Sequence, residues 1–164
     1  MRKSIFVTLA ILGFASAQNV GEKAPNFTLL SNSDEVVELA DFKGQPVLVN
    51  FWNTWCPDCN RELPVMDQFY RDNPGKFAFL AIAKEEQPAH VVNYVQEKGW
   101  SFTVLTDPKT DSATENTKDI VKRYRVIGQP WSFFIDGEGV IQAVHRGALS
   151  EEQLAAYMAD IGVN

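Results

Sequence analysis

Residues 47–59 read VLVNFWNTWCPDC, an apolar run of strand length that leads directly into two cysteines. Cys56 and Cys59 are the only cysteines of the chain. A disulfide between them would close a very small ring, and such a ring removes little conformational entropy from the unfolded chain, so the bond is a poor structural cross-link. The pair is therefore predicted to open and close, as a thiol-disulfide exchange site does.

The segments around the cysteines predict an α/β fold. Residues 47–51 and 77–83 are near-continuous apolar runs, which is typical of parallel strands covered on both faces. Between them, residues 59–70 carry apolar side chains at helical spacing, which predicts a crossover helix whose first turn begins at the cysteines. Pro64 is expected to bend this helix.

The remaining segments extend the predicted sheet at both ends. Residues 27–30 and 36–39 flank a polar cluster and predict a small amino-terminal hairpin. Residues 131–135 and 140–144 flank a Gly-Glu-Gly turn and predict a second, antiparallel hairpin. A short strand is predicted at 102–105, and helices are predicted over 89–98, over the second half of 111–124, and after the capping box of Ser150 and Gln153.

The amino terminus has the pattern of a secretory signal. Residues 1–17 combine a basic tip, an apolar stretch and a small-residue cleavage pattern at 15–17. The apolar stretch is shorter than the ~20 residues of a membrane-spanning helix, with an uncleaved, membrane-tethered anchor as the alternative interpretation. Residues 18–164 contain no repeat and no long linker, so we expect one domain in the periplasm or another extracytoplasmic space, where disulfides persist.

Composition argues against several kinds of partner and site. The formal net charge is −6 and becomes more negative if Arg2 and Lys3 leave with the signal, so nucleic acid is not an expected partner. Zinc would need further soft or imidazole ligands, but the two histidines, His90 and His145, lie far apart in sequence. We interpret both as surface or loop residues, and expect no metal and no cofactor besides the cysteine pair itself.

The spacing of the cysteines predicts different roles for them. At the first turn of a helix, Cys56 would meet unpaired backbone N–H groups and the positive end of the helix dipole, which stabilise a thiolate. Cys56 is therefore the expected nucleophile, and Cys59, shielded by the helix and by Trp52 or Trp55, is the expected resolving thiol. The carboxylate of Asp58 opposes the thiolate, so the couple is predicted to be reducing rather than strongly oxidising.

Several motifs together resemble the thioredoxin superfamily, and within it the exported TlpA/ResA-like branch of the redoxin (AhpC/TSA) type. They are GEKAPNFTLL at 21–30, ELADFKGQPVLVNFW at 38–52, WCPDC at 55–59, IGQPWSFFIDGEGVI at 127–141 and HRG at 145–147. The resemblance implies a thioredoxin-like three-layer sandwich, in which helices flank a central mixed sheet that carries an added N-terminal β-hairpin. It also implies a thiol-disulfide oxidoreductase, with cytochrome c maturation as one function found in the branch.

The resemblance also implies a substrate groove. The Gln129-Pro130 pair matches the cis-proline that faces the disulfide in this family, where the residue before the proline pairs with an extended substrate segment. Trp55, Pro57, Gln129 and Pro130 are accordingly the expected substrate-binding residues. Gln129 and Trp131 replace the smaller or β-branched residues common at these positions, which predicts a more polar and more crowded groove.

A proton shuttle for Cys59 is the remaining function that the resemblance implies. In many thioredoxins an acid precedes the motif on the strand, but here that position is Asn50. Alignment with the branch puts Glu86, or else Glu85, where a partly buried glutamate would take the proton of Cys59. A charged residue in an exposed loop is the alternative interpretation of Glu86.

These features predict an exchange cycle between two protein partners. Protein thiols and disulfides would be the substrates, with apocytochrome c thiols as one candidate by resemblance alone. Electrons would come from a membrane or soluble dithiol reductase, because the chain has no third cysteine, and we expect a monomer. A thiol peroxidase and a non-catalytic metal-binding module stay open as alternatives, although peroxidases place a threonine where this chain has Asn53, one position before Thr54.

Overall fold

The computed structural model describes residues 19–107 and 114–164. The predicted signal at 1–17 and the first residues of the segment 111–124, for whose second half a helix is predicted, lie outside the described residues. In chain order the elements are β1 (Thr28–Ser31), β2 (Val36–Glu38), a 3-10 turn (Leu39–Phe42), β3 (Val47–Trp52), α1 (Pro57–Asp72), β4 (Ala78–Ala83), α2 (Pro88–Lys98), β5 (Thr103–Thr106), α3 (Thr117–Arg123), β6 (Trp131–Ile135), β7 (Ile141–Arg146) and α4 (Glu151–Asp160).

The strands form one mixed sheet in the order β2-β1-β5-β4-β3-β6-β7. The central strands β3, β4 and β5 run parallel, and α1 and α2 make the crossover connections between them. The hairpins β1–β2 and β6–β7 add antiparallel strands on the two sides. The predicted α/β class, mixed sheet and amino-terminal hairpin are therefore confirmed.

The two faces of the sheet are covered by different layers. Alternating residues of β3 divide between them, with Leu48 and Trp52 on one face and Val49 and Phe51 on the other. The first face packs against α1, α2 and α4, and the second against α3 and the amino-terminal segment near Phe27. All six residues of β3 are buried, which explains why this strand is apolar throughout rather than alternating.

Helix ends follow the local signals in the sequence. Gly99 ends α2 with a φ of 65°, a left-handed conformation that glycine adopts without steric cost. Ser150 and Gln153 form the reciprocal capping box at the start of α4. Pro64 lies inside α1, and the helix continues past it to Asp72. Within the described ranges, none of the helices has the length and apolar character that a bilayer crossing requires.

The register of the central strands brings three loops to one edge of the sheet. Trp52, the last residue of β3, pairs with Ala83, the last residue of β4. On its other side β3 is antiparallel to β6, so that Phe51 pairs with Trp131, the first residue of β6. The loops after β3 and β4 and the loop before β6 therefore meet at this edge.

Candidate active site

The cysteine pair lies where the loop after β3 enters α1. Cys56 and Cys59 are joined by a disulfide. Cys56 is the N-cap residue of α1, and its sulfur accepts a hydrogen bond from the backbone N–H of Cys59 across 3.2 Å. Pro57 occupies the first helical position, where a missing N–H costs nothing. The sulfur of Cys56 thus occupies the place of a capping oxygen, where an anion is stabilised by unpaired N–H groups and the helix dipole.

The two cysteines are both buried, and they differ slightly in exposure. Cys56 retains 4% exposure, whereas Cys59 has none. Both belong to the core cluster that contains the fully buried Trp52, while the side chain of Trp55 is 67% exposed. Of the two tryptophans expected to shield Cys59, Trp52 is therefore the one in the core, and Trp55 projects into solvent beside the pair.

Asn60, which sequence reasoning missed, fixes the loop before the cysteines. Its amide group donates to the carbonyls of Thr54 and Cys56 across 2.8 and 3.0 Å. Its oxygen accepts from the hydroxyl of Tyr94 on α2 across 2.6 Å. The backbone on both sides of Trp55 is thus held by one side chain of α1.

Glu86 holds the same loop from the opposite side. Its half-buried carboxylate accepts hydrogen bonds from the backbone N–H and the hydroxyl of Thr54, across 2.8 and 2.5 Å, and from Nδ2 of Asn53 across 3.1 Å. Nε2 of the exposed His90 lies 3.1 Å from the Thr54 hydroxyl. Glu86 is therefore placed beside the site and positions its loop, while its role as proton shuttle stays a prediction, as does the same role for the neighbouring Glu85.

A second carboxylate near the cysteines, which sequence reasoning also missed, is that of Glu62 on α1. Glu62 is 2% exposed and follows Cys59 by three positions, which puts both side chains on one face of α1. Its two oxygens accept from Nδ2 of Asn50 across 2.9 Å and from the backbone N–H of Leu149 across 2.8 Å. Burial raises the pKa of Glu62 to about 7, against the lowering effect of the two hydrogen bonds.

The loop before β6 is the third loop at the edge of the sheet that carries the cysteines. The peptide bond between Gln129 and Pro130 is cis, as the resemblance implied. Pro130 is buried and Gln129 is half-buried. Two positions earlier, Ile127 is 91% exposed, a large apolar side chain that nothing in the sequence marked as a surface residue. The guanidinium carbon of Arg146 lies 4.7 Å from the centre of the Trp131 ring, in a cation–π contact.

The comparisons with known proteins agree with this geometry. The family model described as the AhpC/TSA family matches residues 20–144. The chain belongs to the AhpC/TSA family. It is 34% identical over 143 residues to the thiol-disulfide oxidoreductase ResA of Bacillus thuringiensis subsp. konkukian, an alignment that covers 87% of this chain and 78% of the relative.

Two solved structures share the fold of this AhpC/TSA family member. One is a thiol:disulfide interchange protein of the thioredoxin family from Chlorobium tepidum, with a TM-score of 0.72 and 27% identity over 90% of this chain and 99% of that one. The other is a secreted disulfide oxidoreductase from Mycobacterium tuberculosis, with a TM-score of 0.69 and 28% identity over 81% of this chain and 94% of that one. The thioredoxin-like architecture is thus confirmed.

The charges beside the cysteines form a solvated ion pair. Asp58, the acidic residue between the cysteines, forms an ion pair with Arg61 on the exposed side of α1. Because the pair is solvated and the guanidinium offsets the carboxylate, the field of Asp58 at Cys56 is weaker than the sequence alone implied. The effect of Asp58 on the redox potential is therefore expected to be small, and the reducing character of the couple stays a prediction.

Proposed function

We propose that this thiol-disulfide oxidoreductase works outside the cytoplasm as a reductant of protein disulfides. The observation that carries the proposal is the arrangement of the two sulfurs. Cys56 caps the start of α1 and keeps some access to solvent, whereas Cys59 is closed off behind it in the core. One sulfur can therefore meet a partner, and the other can meet only its neighbour.

The exchange proceeds in two steps. The thiolate of Cys56 attacks one sulfur of a partner disulfide, the partner's S–S bond breaks, and its released thiolate takes a proton from solvent. The thiolate of Cys59 then attacks Cys56, which breaks the mixed disulfide, releases the second partner thiol and forms the Cys56–Cys59 disulfide. Two electrons pass to the partner, and a further dithiol protein must return two electrons to the pair.

The second step needs a base for the Cys59 thiol. We assign this role to Glu62, because its carboxylate is buried on the same face of α1 and its pKa of about 7 suits proton transfer near neutral pH. Glu86, the shuttle expected from the resemblance, uses its carboxylate to hold Thr54 and Asn53. In this proposal Glu86 is a positioning residue.

The surface around Cys56 suits an extended, partly apolar partner segment. Trp55 and Pro57 are exposed on the cysteine loop, and Ile127 is exposed on the loop of the cis-proline. Gln129 offers its backbone beside Pro130, where an extended chain can pair as an added strand. In this proposal these residues form the surface that binds the partner segment.

The proposed location is supported by the sequence and by one relative. Residues 1–17 have the signal pattern, and the Mycobacterium tuberculosis relative is described as secreted. The candidate partners are disulfide-bonded proteins, among them apocytochrome c, and a membrane or soluble dithiol reductase as the donor. A peroxidase function is less well supported, because the Thr54 hydroxyl is bonded to Glu86 rather than free to orient a peroxide.

Reduction of insulin disulfides with dithiothreitol as electron source tests the activity. Residues 18–164 should accelerate insulin precipitation, Cys56→Ser should abolish that activity, and Cys59→Ser should accumulate a mixed disulfide with insulin chains. Parallel assays measure peroxide consumption and metal binding by the reduced protein. Peroxide consumption lost with Cys56→Ser, or tight stoichiometric metal binding without insulin reduction, would contradict the proposal.

A further inference from the structure

Lys84 lies between the two loops that carry the exchange site. It follows the last residue of β4, and its backbone N–H donates to the carbonyl of Trp52 across 3.1 Å. Its own carbonyl accepts from Nδ2 of Asn53 across 2.7 Å. The backbone carbonyl of Asn53 in turn accepts from the backbone N–H of Cys56 across 3.2 Å. The backbone of Lys84 is therefore bonded to the loop that leads into the cysteine pair.

The side chain of Lys84 reaches the other loop. Its ammonium donates to Oε1 of Gln129 across 2.7 Å and to the carbonyl of Gly128 across 3.3 Å. The side chain is half-buried, and burial lowers the pKa of its ammonium below the ordinary value. A partly desolvated ammonium forms stronger hydrogen bonds than a solvated one, so these contacts restrain the segment before Pro130.

We propose that Lys84 is a positioning residue for substrate binding, which ties the cis-proline loop to the cysteine loop. The proposal rests on the proposed function. A partner segment that pairs beside Gln129 brings its sulfur to Cys56 only if the two loops keep their relative position. Trp55 and Ile127 are exposed on the same two loops.

The test compares Lys84→Met with Lys76→Met in the insulin assay, with kcat and KM measured separately. Methionine keeps much of the side-chain volume and removes the donor. Lys76 precedes β4 at the opposite end of the sheet, and its ammonium also forms two hydrogen bonds, to Asn73 and Asn164. Lys84→Met removes both hydrogen bonds of the ammonium. We expect it to raise KM for insulin at least about tenfold, with kcat retained. Lys76→Met should leave KM unchanged. Lys84→Arg keeps a cationic donor and should retain most of the wild-type affinity for insulin.

A double-mutant cycle separates this role from general stability or charge. Gln129→Leu removes the 2.7 Å hydrogen bond from the other side and should also raise KM. The double variant should raise KM no further than Lys84→Met alone, because Lys84→Met already removes that bond. The proposal would be overturned if the increases in KM of the two single variants multiplied in the double variant. It would also be overturned if KM were unchanged in Lys84→Met. A changed pH profile of Cys56 alkylation in Lys84→Met would overturn it too, because Lys84 would then act on the thiolate. Failure of the wild-type protein to reduce insulin would instead refute the proposed function.

Discussion

The amide of Asn50 donates a hydrogen bond to the carboxylate of Glu62 across 2.9 Å, and both side chains are buried. The same amide nitrogen lies 3.0 Å from the hydroxyl oxygen of Ser132 on β6. A strand residue at the position of the usual thioredoxin acid thus supports an acid that α1 supplies. Glu62 lies on the same buried face of α1 as Cys59.

Glu62 should make the stability of the oxidised protein depend on pH. Burial raises its pKa from 4.5 to about 7, so the folded state keeps a proton that the unfolded chain has released. Stability therefore falls as the pH rises from 4.5 to 7, by about 3 kcal/mol in total, and is constant above that range. Urea unfolding from pH 4 to 8 should show this loss in the wild type relative to Glu62→Gln, which cannot ionise. If the difference in the free energy of unfolding between the two proteins did not vary with pH, the raised pKa of Glu62 would be contradicted.

Glu62 should also control the resolving step. With Cys56 loaded as a mixed disulfide with thionitrobenzoate, release of the coloured thiolate reports the attack by Cys59. Glu62→Gln should slow this release about 100-fold at pH 7, and less at pH 9, where the thiol ionises without a base. Glu86→Gln is the matched variant and should release at nearly the wild-type rate. Slow release in Glu86→Gln alone would return the shuttle role to Glu86.

The ion pair beside the cysteines should tune the redox potential in both directions. Asp58→Asn removes a charge that opposes the Cys56 thiolate, so the couple should become more oxidising, and Arg61→Gln should make it more reducing. Each shift should stay below about 30 mV, which corresponds to about 1.4 kcal/mol, because both side chains are solvated. Equilibration with glutathione buffers measures the shifts, and equal potentials in all three proteins would show that this pair has no influence.

The Thr54 hydroxyl should contribute to the stability of the loop before Cys56. Thr54→Val keeps the shape of the side chain and leaves one oxygen of Glu86 without this donor. A hydrogen bond to a charged group is worth about 1.5–3 kcal/mol, so a loss of that size is expected in urea unfolding. In the Glu86→Gln background the same substitution should cost less, since the acceptor is then neutral. Equal costs in both backgrounds would show that the hydroxyl does not act through the carboxylate.

The parts of the fold that the sequence predicted are those with a local physical cause. The apolar run at 47–51 lies on a central strand whose residues are all buried. Ser150 and Gln153 cap α4 through bonds within one turn of the chain. The boundaries of predicted strands differ by one or two residues, as at 102–105, which is observed as Thr103–Thr106, and at 140–144, which is observed as Ile141–Arg146. Where a pattern and its cause lie in one segment, the sequence was sufficient.

The parts it missed depend on contacts between distant segments. Glu62 had a signal, since it shares the buried face of α1 with Cys59, Leu63 and Met66, and a carboxylate on such a face needs partners. Its partners, however, come from β3 and from the loop before α4. The contact between Lys84 and Gln129 joins residues 45 positions apart, and only the pairing of β3 with both β4 and β6 brings them together.

Alkylation of the reduced protein tests the different roles of the two sulfurs most directly. Iodoacetamide is added across a range of pH, and each cysteine-containing peptide is quantified by mass spectrometry. The structure predicts that Cys56 is modified much faster, with a midpoint below the ~8.5 of an ordinary thiol, while Cys59 stays unmodified in the folded protein. Equally slow modification of both cysteines, or faster modification of Cys59, would contradict Cys56 as the attacking sulfur.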